Sequence, residues 1–275
     1  MESQSCVSHQ ADSSLVRYMH TVHSYWWFKG ALSPEQCRRI IARGQGALDE
    51  LRRQGLATTG VTLGDTHKGA ANAGGRALAD QTLEEAAAEA GASQQGATRG
   101  NYIRDSEVCF INDAWIYDLV FPLIQEANQR AGWQYDLDFA EPLQFSVYRP
   151  GGFYGWHTDG FSCHYGAYQR FEPGVTPLLN GKPPPNCIDN PRMIGKVRKL
   201  SMTLNLNEPG SYEGGNLKFD FGPHVRHRER YHECEEIRPQ GSVIVFPSYV
   251  YHQVTPVTRG VRYSLVVWIL GPPFR

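Results

Sequence analysis

The sequence predicts a mainly β protein with flanking helices, an α+β arrangement in which a sandwich or barrel carries helices on its outside. Three observations point there. From about residue 141 the chain breaks into short runs of strand length and composition, at 143–148, 152–160, 199–207, 216–221, 241–248, 251–257 and 262–270. Turn-forming clusters such as "RPGG", "EPGSYEGG", "RPQG" and "VTRG" separate them. Charged residues make up only 20% of the chain, against 12% aromatics, 28 glycines and 17 prolines, which favours strands and structured turns over a helical bundle.

Taken in order, residues 1–20 read as a polar, mobile tail and 21–275 as a single domain, with 21–140 a helical N-terminal support and 141–275 the β core. The apolar run "YWWF" is strand-like. A helix starts after it, because Ser33 is suited to the N-cap, Pro34 to the first helical position and Gln36 to a capping box. Cys37, Ile40, Ile41 and Leu48 form its apolar stripe. Residues 54–79 hold little hydrophobic pattern and read as a long loop, with His67 and Arg76 as candidate substrate contacts. An alanine-rich helix follows at about 80–91. Another is predicted over 113–132, where Ile116, Leu119, Val120, Leu123, Ile124 and Ala127 recur at helical spacing and Pro122 should kink or tighten it. Residues 160–198 interrupt the strands with a long, proline-rich segment, expected to be a lid. The run "HVRHRERYHECEE", 224–236, reads as a charged loop.

Composition also removes classes of function. A net charge of −1 gives no electrostatic footprint for nucleic acid. There is no run of about 18 apolar residues to span a membrane, and the first residues lack the apolar core of a signal peptide. The six cysteines, at 6, 37, 109, 163, 187 and 234, form no CxxC and read as reduced thiols of a cytoplasmic protein. Oligomeric state is not set by any of these features.

Chemistry concentrates in "GGFYGWHTDGF", residues 151–161. On a strand, His157 and Asp159 emerge on one face, although an Asx-type turn beside a solvated histidine gives the same spacing. His252 lies in an apolar strand, "VFPSYVYHQVTPV", where a lone histidine is ordinarily a satisfied core residue. A three-residue hairpin loop, Thr258-Arg259-Gly260 with Gly260 left-handed, would place Val257 opposite Val261 and Arg262 opposite Pro256. Arg262 and Ser264 then share a face with His252. A two-residue loop would invert this, and Pro256 is awkward in a central strand. Two imidazoles and a carboxylate on one surface suit a divalent transition metal with open positions, the facial triad of non-haem Fe(II) oxygenases. The arginine fork suits the carboxylate of an acidic co-substrate, or else a structural Asp or Glu.

The stretches "VYRPGGFYGWHTD", "KLSMTLNLNEPGSYEGGNLKF" and "FPSYVYHQVTPVTRGVRYSLVVWI" resemble Fe(II)/2-oxoglutarate-dependent dioxygenases of the prolyl 4-hydroxylase-like superfamily, most of all the PKHD-type hydroxylases. The likeness covers roughly residues 100–272. It implies a double-stranded β-helix, the cupin-like jelly roll, as the core of one catalytic domain. It further implies His157, Asp159 and His252 as catalytic metal ligands, and Arg262, Ser264 and Tyr148 as the 2-oxoglutarate site. The cofactors implied are Fe(II), 2-oxoglutarate and O2, with ascorbate as a reductant. Substrate contacts are expected from Arg104, Asn112, His164, Tyr165 and Arg170. Tyr148, Tyr154, Trp156 and Trp268 are candidates for the cavity wall, a place that ordinary core packing of aromatics explains equally. The expected partner is a small-molecule or peptide substrate, hydroxylated at a C–H bond. Desaturation or cyclisation at the same site, and a non-catalytic jelly-roll binding module, are the competing readings. Asp159 speaks against a halogenase.

Overall fold

The computed structural model describes residues 22–56, 62–63, 102–160, 166–178, 183–184, 186–222 and 230–274. Its strands are β1 (Trp26–Phe28), β2 (Thr62–Leu63), β3 (Tyr102–Asp105), β4 (Glu107–Ile111), β5 (Phe139–Ala140), β6 (Leu143–Tyr148), β7 (Phe153–His157) and β8 (Val197–Asn205). The remainder are β9 (Tyr212–Gly214), β10 (Leu217–Asp220), β11 (Tyr231–Glu233), β12 (Val243–Pro247), β13 (Tyr251–Val254), β14 (Val257–Gly260) and β15 (Arg262–Gly271). The helices are α1 (Pro34–Arg53) and α2 (Ala114–Arg130).

One sheet has the order β1-β12-β8-β15-β6-β4 with β5 beside β15; the facing sheet runs β11-β10-β13-β7-β3-β2. From β6 onward the chain alternates between them: β6, β8, β12 and β15 lie in the first, and β7, β10 and β13 in the second. This alternation, with all strand pairings antiparallel, β11 staying beside β10 and β9 and β14 forming a ribbon of their own, makes the jelly roll expected from the resemblance.

The first sheet divides its side chains by parity. Leu143, Phe145 and Val147 of β6, Leu200 and Leu204 of β8, and Leu265, Val267 and Ile269 of β15 pack against α1 and α2. Each such side chain contributes about 1.5–3 kcal/mol by leaving water. The alternate residues, Gln144, Tyr148, Thr203, Arg262, Ser264 and Trp268, face the space between the sheets. That polar face is what makes a site available.

Helix α1 forms as its sequence dictates. The Ser33 hydroxyl accepts from the Gln36 N–H while the Ser33 N–H donates to the Gln36 side chain, and Cys37, Ile40, Gly44 and Leu48 are buried, with Ile41 half-buried. Helix α2 continues through Pro122. The carbonyl that Pro122 leaves unpaired belongs to Asp118, an exposed residue, so water can satisfy it.

Several expectations need correction. The 258–260 hairpin does not form: β13 and β15 lie in different sheets, and β14 pairs with β9 instead. Pro256 has no N–H for a ladder, and the chain leaves the second sheet there. Gly260 is left-handed (φ +77°), at a close approach to β9 and not in a hairpin turn: a Cβ there would lie 2.2 Å from the Ser211 carbonyl oxygen. Residues 102–111 are β3 and β4, so the part before residue 141 is no purely helical support: it adds β1, β4 and β5 to the first sheet and β2 and β3 to the second, beside the two helices. Within 224–236, Tyr231–Glu233 is a strand and Glu235–Ile237 a 3-10 turn. The 1–20 tail, the 80–91 helix, His67, Arg76, His164 and Tyr165 lie outside the described residues. Of 160–198, Tyr168, Ile188 and Met193 pack with Leu270 and Phe139, while most of residues 169–178 is exposed.

Candidate metal and co-substrate site

His157 ends β7 and His252 sits on β13, the neighbouring strand, directly opposite it in register. Asp159 follows two residues beyond the end of β7. The three are buried, and one donor atom from each lies within 4.8 Å of the others. His157 Nε2 is 3.7 Å from one Asp159 oxygen, and His252 Nε2 is 3.6 Å from the other.

The tautomers follow from the hydrogen bonds. His157 Nδ1 is 2.7 Å from the Gly155 carbonyl and His252 Nδ1 is 3.0 Å from the Val250 carbonyl. A carbonyl only accepts, so each Nδ1 carries the proton and each Nε2 presents its lone pair to the shared point. Burial, and then the neighbouring His252, push His157 well below the usual imidazole range, which keeps it neutral. Burial alone would raise Asp159; the two imidazoles, the Ser201 hydroxyl and Arg198 outweigh it and hold the carboxyl below its ordinary value. Two imidazoles and one carboxylate fit Fe(II) and leave coordination positions open.

Across the same cavity lies Arg262, 1% exposed, on the facing sheet. Its Nη1 donates to Ser264 at 3.2 Å, its Nε has no partner, and the Tyr148 ring, opposite it in register, lies 5.2 Å from the guanidinium carbon. No carboxylate pairs with it among the described residues. A buried, uncompensated guanidinium is costly, so this end of the cavity is suited to an anion. His252 and Arg262 therefore do meet on one interior surface, as expected, but from opposing sheets and not across a hairpin.

Of the aromatic candidates, Tyr148, Tyr154 and Trp268 line the cavity, while Trp156 packs instead with Tyr231. Tyr154 stacks on His157 at 3.5 Å between centroids. Arg104 is buried against Tyr154, 4.7 Å from its ring, with Ser106, Gln144 and Ser146 as neutral partners. Asn112 is exposed, accepts from Tyr117 and lies outside the cavity wall, because β4 has ended and α2 has not begun. Arg170 is exposed. Sequence reasoning missed Arg198, Glu141, Ser201 and Ser248, which surround Asp159. The one available signal was "VRKLS", two cations in a strand buried at all nine positions.

Residues 143–270 match the family model of the 2OG-Fe(II) oxygenase superfamily, and that stretch holds His157, Asp159, His252 and Arg262 and runs from β6 into the last residues of β15. The β core of this chain is thus similar to the 2OG-Fe(II) oxygenase superfamily over slightly less than half of its length. Within it the relatives are of the PKHD type. A PKHD-type hydroxylase of Nitrobacter winogradskyi is 34% identical over 129 residues, covering 46% of this chain and 42% of the relative. One of Stenotrophomonas maltophilia gives the same figures, so the match spans about two fifths of these relatives' length. A Pseudomonas putida prolyl-4-hydroxylase structure aligns over 90% of this chain and 92% of its own, at 21% identity and a TM-score of 0.46. No helix among the described residues is long and apolar enough to cross a membrane.

Proposed function

We propose that this chain is an Fe(II)/2-oxoglutarate-dependent oxygenase. It hydroxylates an unactivated C–H bond of an amino acid, a peptidyl residue such as proline, or a small metabolite. One observation carries the reading: a buried His157–Asp159–His252 cluster shares a cavity with a buried arginine that has no acidic partner among the described residues.

His157 and His252 offer Nε2 and Asp159 a carboxylate oxygen to the metal. Arg262 and Ser264 receive the distal carboxylate of 2-oxoglutarate, with Tyr148 closing that end. Bound there, Fe(II) with O2 supplies the oxidation that inserts one oxygen atom into the C–H bond while 2-oxoglutarate loses CO2 to become succinate. Phe246, Val254 and Trp268 line the cavity and keep water from it. Arg104, held over Tyr154, is the described residue best placed on the substrate side. Free thiols at Cys37, Cys109, Cys187 and Cys234 favour a reducing, cytoplasmic setting.

The test is succinate formation from 2-oxoglutarate with Fe(II) and ascorbate, alone and with free amino acids and proline-containing peptides. Turnover is expected in the wild type and not in Asp159→Ala. Full turnover in His157→Ala or Asp159→Ala would sink the assignment.

A further inference from the structure

We propose that Arg198 is a positioning residue for Asp159, and that Glu141 and Tyr168 hold it to that task. The inference rests on the reading of Asp159 as a metal ligand. Asp159 lies beyond the end of β7, so no strand ladder fixes it. Its backbone is held from two sides instead: its N–H donates to the Ser248 carbonyl at 3.0 Å, and its carbonyl accepts from Arg198 Nη1 at 2.9 Å.

Arg198 and Glu141 are both buried, and the guanidinium Nε and Nη2 donate to the two oxygens of the Glu141 carboxylate, each at 2.6 Å. The Tyr168 hydroxyl donates to the same carboxylate at 3.0 Å, and the Trp268 ring lies 3.9 Å from the guanidinium carbon. An arginine this close to a ligand carboxylate would ordinarily compete with the metal for it. Glu141 occupies two of its donors and offsets much of its charge, and Nη1 turns to the carbonyl of Asp159. The carboxylate of Asp159 keeps the two imidazoles and the Ser201 hydroxyl as its close neighbours. Tyr168 belongs to the segment between Asp159 and β8, so docking of that segment is linked to the geometry of a metal ligand. The arrangement is an outer shell reached through the main chain, of the kind whose loss weakens metal binding.

The test is Co(II) binding to the metal-free full-length protein by calorimetry, with the visible Co(II) spectrum as a second readout. Arg198→Lys keeps the charge and loses the fork; it is expected to weaken Co(II) binding about 10–100-fold and to change the spectrum. Tyr168→Phe removes one hydroxyl hydrogen bond and is expected to weaken binding about 5-fold without a change in spectrum as large. Folded Arg198→Lys with wild-type affinity and spectrum overturns the proposal. If Arg198→Lys does not fold, Tyr168→Phe decides, and unchanged Co(II) affinity overturns it. Asp159→Ala is the control: its loss of Co(II) binding keeps the metal-site reading, so that a failure of the other two variants counts against the positioning role alone. Retention of Co(II) by Asp159→Ala removes both.

Discussion

Replacing Arg262 with methionine should stabilise the ligand-free protein and abolish its response to 2-oxoglutarate. The guanidinium is 1% exposed, its Nε has no partner, and no described carboxylate offsets its charge. Exchanging buried charge for an apolar side chain of similar volume is neutral or stabilising by about 1–4 kcal/mol. Ser264 loses the donor at 3.2 Å, which costs about 1 kcal/mol. A net gain of about 1 kcal/mol corresponds to about 2–4 °C in Tm for a domain of this size. The effect on the co-substrate has the opposite sign. Two charge-assisted hydrogen bonds to a carboxylate, at about 1.5–3 kcal/mol each, amount to about 10²- to 10⁴-fold in affinity. Thermal unfolding with and without Fe(II) and 2-oxoglutarate reads both, because a ligand at about 100 times its Kd stabilises by about 2.7 kcal/mol. A ligand-free Arg262→Met that melts well below wild type would refute the uncompensated-charge argument. One that keeps the full 2-oxoglutarate shift would refute the clamp.

Other consequences are simpler to measure. Gly44→Ala and Gly46→Ala gain the same helix propensity, about 1 kcal/mol. A Cβ at 44 would lie 2.3 Å from the Phe145 ring, whereas one at 46 meets nothing within 4 Å. Urea unfolding should therefore place Gly44→Ala about 1–3 kcal/mol below Gly46→Ala, and equal stabilities would contradict the packing of α1 on β6. Ser33→Ala removes the capping box of α1 and should cost about 1 kcal/mol in the same assay; no change would mean the cap contributes nothing. Burial pushes the Cys37 and Cys109 thiols up to about 11, so at pH 8 they stay protonated as well as inaccessible. Among the described cysteines, Cys187 should react first with a thiol reagent, as read by peptide mass spectrometry. Equal labelling of Cys37 would contradict its burial.

Much of the fold was legible because its signals are local. Seven strand runs, the Ser33 cap and the α2 stripe depend on neighbours in sequence, and each lies within a few residues of its expected bounds. The long-range features were not. Pairing of β14 with β9 instead of a hairpin depends on backbone contacts some 45 residues apart, and β3 and β4 find their partners only across the sheets. The cluster was legible because His157, Asp159 and His252 are the residue types a metal needs. Its support was not, since Arg198, Glu141 and Tyr168 meet only after the jelly roll has closed.

The most direct test is anaerobic calorimetry of 2-oxoglutarate binding, with and without Fe(II), in wild type and in Asp159→Ala. The expected result is one equivalent bound by the wild type when one equivalent of Fe(II) is present, greatly weakened without the metal and in the variant. Binding of equal strength with and without Fe(II), or undiminished in Asp159→Ala, would contradict a metal and a co-substrate sharing this cavity.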